Sequence, residues 1–287
     1  MKRLHRGRRP GLSVIAAALS LLVLPALASA QDARCQYSAP RSLKLDLAGA
    51  HSVLFNVGSS NLRLNATSGS TGTLDGRACA SSKDLLDDMQ LQQERQGDKL
   101  VVTLMPAKHL RLSRSMGTTY WYVDLDGNVP DDVLVQLDVG SGDASLRGGQ
   151  AASADVGSGD VDLQDVAGLV TAKVGSGDLK LHGAGALKVL SVGSGDVVAA
   201  GIKGKTEVGS IGSGDVTLDQ VGAGVDIGSI GSGDLRLGDI TGDVTVGSIG
   251  SGDLDARDIR GNLSVRRKGS GDIDHRGVTG TVDIAKH

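Results

Sequence analysis

Aromatic side chains are scarce: one Trp, three Tyr and one Phe in 287 residues. All five (Tyr37, Phe55, Tyr120, Trp121 and Tyr122) precede residue 123. The rest of the chain therefore has no aromatic platform on which sugar rings or bases could stack. Cysteine is limited to Cys35 and Cys79, which offer too few ligands for a zinc site. Only one long apolar run exists, at residues 12–24. Excess positive charge is also missing, with 30 Lys and Arg against 33 Asp and Glu. The missing basic stripe argues against nucleic acid and anionic membrane as partners.

The single apolar run has a processing signature. Lys2, Arg3, Arg6, Arg8 and Arg9 precede it, and Ala28-Ser29-Ala30 follows as a small-residue cleavage motif. Residues 1–30 are expected to be a signal peptide cleaved after Ala30. An uncleaved anchor is disfavoured because the run is short for a ~30 Å hydrocarbon core and ends at Pro25. Arg8-Arg9 fits twin-arginine export poorly, and no cysteine at the cleavage point marks a lipoprotein. Removing five basic residues leaves 25 basic and 33 acidic ones, a net charge of −8. In an exported chain, two cysteines suggest one disulfide, Cys35–Cys79.

What the chain has in abundance is glycine, 43 residues, and repetition. Gly-Ser-Gly-Asp occurs eight times between Gly140 and Asp272. Its aspartates are Asp143, Asp160, Asp178, Asp196, Asp215, Asp234, Asp253 and Asp272, spaced by 17, 18, 18, 19, 19, 19 and 19 residues. A fixed period in that range marks a stacked repeat. From Asp234 onward, aliphatics fall at Leu235, Leu237, Ile240, Val244, Val246 and Ile249. The two Φ-x-Φ units alternate with period two, a strand pattern. Thr241-Gly242 separates the strands and Gly250-Ser251-Gly252 closes the unit. Glycine is expected at both corners for its tolerance of positive φ.

The expected fold is all-β: a parallel, two-sheeted β-solenoid of about eight regular coils, rising ~4.8 Å per coil. An antiparallel sandwich of hairpins is the rival, but hairpins do not require one corner to recur in one register. Early coils fit the pattern less well. Residues 151–154 are barely apolar, and the pattern does not fix the register between Asp160 and Asp178. Lys268 breaks the aliphatic column four residues before each aspartate. Three segments are expected: residues 1–30, the leader; residues 31–132, an irregular β cap region; and residues 133–287, the solenoid. Within the second, Val57 to Leu64 is a worn copy of the corner. Residues 83–92 could form a helix, but a hairpin over residues 89–104 is favoured. Residues 105–119 read as a basic loop and Tyr120–Val123 as a strand, together capping one end of the solenoid or gripping an anionic or sugar ligand. The cap is the favoured role.

The aspartate column is the first candidate for chemistry. Carboxylates ~4.8 Å apart repel by roughly 0.9 kcal/mol each in water, so something must offset them. The favoured role is structural, with each aspartate accepting backbone N–H groups at the corner. The alternative is Ca²⁺ bridging neighbouring coils. Catalysis finds no support. His51, His109, His182, His275 and His287 are scattered and lack a Ser or Cys partner in a known motif. Gly-Ser-Gly-Asp leads into a strand, unlike a nucleophile elbow, and no Gly-Lys-Ser/Thr marks a phosphate loop. No catalytic residue, cofactor or metal ligand is assigned.

The leader, Val-Pro-Asp-Asp-Val at 129–133 and the repeated Val-Gly-Ser-Gly-Asp-Val-x-Leu corners together resemble a bacterial family known as putative adhesins, exported β-strand-repeat domains. The resemblance covers residues 41–287. It implies a non-enzymatic protein of the periplasm or cell surface, structural or adhesin-like, binding an envelope or surface protein or glycan. The alternative is a Ca²⁺- or ligand-binding envelope protein in stress response or signalling.

Overall fold

The computed structural model describes residues 35–104 and 119–285. The leader, the cleavage point after Ala30, and Lys108, His109, Arg111 and Arg114 of the basic stretch lie outside the described residues. The fold is nearly all β, a parallel β-solenoid, as the repeat predicts. Each coil contributes one strand to each of two ladders. Leu235–Thr241 lies between Val216–Val221 and Leu254–Arg260 in the first ladder. Val244–Ile249 lies between Val225–Ile230 and Leu263–Val265 in the second.

Residues at one repeat position stack into columns. Val197, Val216, Leu235 and Leu254 form one such line, all of them buried. The six aliphatics of the coil after Asp234 are each at most 3% exposed. Burying both inward rows between two ladders supplies the apolar contact that a lone coil lacks.

The coil with the unfixed register holds a continuous strand, Val161–Val174. Val161, Leu163, Val166, Val170, Ala172 and Val174 face inward. Its second half pairs with the weakly apolar Ala151–Val156. The column Ile211–Ile230–Ile249 ends at Lys268, which still bridges to Ile249.

The corner glycines require a correction. Gly250 and Gly252 do not have positive φ. A Cβ on Gly252 would lie 1.8 Å from the Gly233 carbonyl oxygen one coil below, and one on Gly250 would lie 2.7 Å from that of Gly231. The same clash recurs at Gly159, Gly177, Gly195, Gly214, Gly233 and Gly271. Glycine is needed there for close stacking of backbone on backbone. At Gly242, φ is +122° and the original argument holds.

A second column does carry positive φ. One positive-φ residue per coil falls at Gly148, Asp165, Gly183, Gly201, Gln220, Asp239, Asp258 and Gly277, in register from coil to coil. Four of the eight are not glycine, with φ from 50° to 56°. For an L-residue that conformation costs roughly 1–2 kcal/mol.

The N-terminal part joins the same ladders out of sequence order. Ser52–Gly58 and Asn61–Ala66 stack directly beneath Leu134–Val139 and Asp143–Arg147. Lys99–Thr103 and Trp121–Val129 form the rung below that. Residues 130–133 therefore carry the chain past the 52–66 coil to start the rung above it. Beyond the lowest rung the pairing turns antiparallel, through Thr73–Ala80 and Tyr37–Lys44 in one ladder and Gln92–Gln96 in the other. Both local alternatives at 83–104 are realised in succession. A helix, Lys83–Asp88, is N-capped by Ser82, and a hairpin follows over Gln92–Gln96 and Lys99–Thr103. The Cys35–Cys79 disulfide is present, with a Cα–Cα separation of 5.7 Å.

Candidate functional site

The aspartates form a line of hydrogen bonds from coil to coil. The backbone N–H of Asp160 donates to Oδ1 of Asp143 at 3.3 Å, and that of Asp178 to Asp160 at 3.3 Å. Asp196 donates to Asp178 at 3.0 Å and Asp215 to Asp196 at 2.9 Å. Asp234 donates to Asp215 at 3.0 Å, Asp253 to Asp234 at 3.1 Å and Asp272 to Asp253 at 2.7 Å. At the lower end, Asp143 N–H meets Oδ1 of Asn61 at 3.4 Å. Asn61 occupies the aspartate position of the worn corner, so the column has a ninth, neutral member. The only sequence signal for it is that corner's likeness to the others.

Seven of the eight carboxylates, from Asp143 to Asp253, thus gain a charge-assisted bond from the next coil, which offsets repulsion between neighbours. Around it, the Ser and second Gly N–H groups share the first Gly carbonyl one coil below. Ser232 and Gly233 reach Gly212 O at 2.8 and 3.1 Å. The repeated corner is therefore a hydrogen-bonded seam. At one place a side chain reinforces it: Arg236 spans Asp215 at 2.9 Å and Asp234 at 3.1 Å. Arg236, and then the N–H of Asp234, hold the Asp215 carboxyl below the usual carboxylate range. Among the described residues, no group of three or more His, Cys, Asp or Glu is arranged to hold a metal ion.

Two shallow grooves of mixed polar and apolar lining lie on the surface of the described residues. One, of about 330 Å³, runs beside the seam between Arg63 and Lys180, lined by Asp143, Asp160, Asp162 and Asp178. The other, also about 330 Å³, follows the positive-φ column past Gly201, Gln220 and Asp239. Gly201, Ile202, Val221 and Gly222 line it, and Lys203, Gln220, Asp239 and Arg260 stand around it. Arg260 reaches Asp239 at 2.6 Å. Lys203 forms no ion pair, and the Gln220 side chain no hydrogen bond, among the described residues. No sequence motif marks this groove, because its residues belong to different coils and share only a register.

His51, His182 and His275 sit on separate strands or their approaches, while His109 and His287 lie outside the described residues. Trp121 lies opposite Ala80 and packs, half-buried, against the core. The Tyr120 hydroxyl accepts the Gln36 N–H at 2.9 Å, beside the disulfide.

No protein-family model matches the sequence, and no curated protein does. Solved structures with similarity include a putative adhesin from Bacteroides fragilis, at 16% identity and TM-score 0.46, covering 87% of this chain and 98% of that one. A putative adhesin from Parabacteroides distasonis is 17% identical, with TM-score 0.42 and coverages of 87% and 97%. A putative lipid binding protein from the same organism is 16% identical, with TM-score 0.43 and coverages of 88% and 98%. At these values no activity, ligand or partner transfers to this chain.

Proposed function

We propose that this chain is a non-enzymatic cell-envelope β-repeat protein, a structural or adhesin-like module that presents its faces to an envelope or surface partner. One observation carries the reading: the polar residues that define the repeat are spent on the seam. The aspartate Oδ1 atoms and the corner N–H groups bond the neighbouring coil. What the chain offers outward is an extended surface of registered side chains. Repeat solenoids use such surfaces to bind. The disulfide agrees with an oxidising, extracytoplasmic location. The leader over residues 1–30, cleaved after Ala30, would provide the export route, and N-terminal sequencing of the exported chain should begin at Gln31.

The test is retention of envelope components on the immobilised chain, with and without a chelator. Retention of a protein or glycan in chelator supports the proposal. Retention that disappears with chelator replaces it with the Ca²⁺- or ligand-binding alternative.

A further inference from the structure

Gln220 is out of place by the logic of its own column. Glycine fills the same register at Gly148, Gly183, Gly201 and Gly277, and the remaining three residues are aspartates, which tolerate the left-handed region better than most. Glutamine has no such tolerance, yet it stands there at φ 55° with its side chain exposed and its amide unpartnered among the described residues. The same left-handed φ recurs at this register in every regular coil, so the coil imposes it, and glutamine bears its cost in full. Here it places an amide at the rim of a groove with three other functional groups: the free Lys203 ammonium and the Asp239–Arg260 pair.

The chemistry of the rim defines the ligand. The lining side chains carry two positive charges and one negative one on a chain whose overall charge is negative. Lys203 and Arg260, three coils apart in one register, can each face a separate carboxylate, while Gln220, Asp239 and Thr241 offer both donors and acceptors for hydroxyls. Gly201 and Gly222 add no side chain to the lining, and about 330 Å³ is at the low end for a small-molecule site. We propose that the groove between Lys203, Gln220, Asp239 and Arg260 binds an acidic saccharide, its uronate carboxylates meeting Lys203 and Arg260 separately and the sugar hydroxyls meeting Gln220 and Asp239. This narrows the binding-module reading, on which it rests, to one groove and one ligand class.

The full chain is titrated with digalacturonate and with neutral lactose, with melting measured in parallel. Saturable digalacturonate binding is expected, with lactose at least tenfold weaker. Lys203→Ala and Gln220→Gly should each weaken digalacturonate binding at least fivefold. Gln220→Gly should also raise the melting temperature, because it relieves the backbone. A purely structural glutamine would instead lower it. Equal affinity for lactose, unchanged affinity in both variants, or a destabilised Gln220→Gly overturns the inference. No saturable binding in any arm overturns it too, and if envelope retention is still seen, the binding-module reading survives.

Discussion

Gly233 and Thr206 show how little freedom single positions have in a stacked core. A Cβ on Gly233 would lie 1.9 Å from the Gly214 carbonyl oxygen, and backbone cannot rotate away as a side chain can. Gly233→Ala should therefore cost at least ~1–3 kcal/mol, the usual range for overpacking, seen as a lower melting temperature. Ser232→Ala, at the exposed residue beside it, should leave melting unchanged. Thr206 is the opposite case. It is fully buried in register with Leu187 and Val225, and its hydroxyl has no hydrogen-bond partner. Thr206→Val keeps the shape and removes an unsatisfied polar atom, so a gain of about 1 kcal/mol in chemical denaturation is expected. Asp215 adds a dependence on pH. Its folded pKa is lowered, so its contribution is full above the ordinary carboxylate range and is lost as pH falls through the folded value. Arg236→Ala should flatten the fall in melting temperature below about pH 4 relative to the parent. The effect should be small because the pair is partly exposed.

At the scale of elements, the disulfide ties the start of the described chain to Thr73–Ala80, which is the bridge between the antiparallel edge strand Tyr37–Lys44 and the lowest parallel rung. With the cysteines 44 positions apart in sequence, closing that loop should contribute about 2–4 kcal/mol. Reduction should expose the N-terminal strands to hydrogen exchange first and leave the upper coils protected. Uniform loss of protection along the chain would contradict this. Edge strands invite unwanted pairing, and here Pro40 lies within the outermost one, where it removes a donor.

The whole molecule behaves as a one-dimensional stack, each coil contacting the next through both ladders and the seam. Deleting residues 216–234 removes one period and joins Asp215 to Leu235, in the same column as Val216. The shortened protein should fold, with β circular dichroism and a cooperative melt. Deleting ten residues from the same coil breaks every column and should abolish folding. Equal melting of the two deletions would refute the stack.

Strand pairs and inward columns were legible in the regular coils because period, apolar alternation and corner are local patterns repeated in phase. Leu235 to Ile249 announces its own inward face. The reason for glycine at the corner was not legible, since the atom it must avoid is a carbonyl one coil away. The same holds for Asn61 at the foot of the aspartate line. Amino-acid order alone determined the coiled ribbon, its rise and its aliphatic interior. Only the tertiary structure decided that residues 52–66 slip between the 99–129 and 134–147 rungs, and that Lys203, Gln220, Asp239 and Arg260 meet around one groove. Those outcomes depend on pairing between distant segments and on register across coils, and neither leaves a mark within the span of a single repeat.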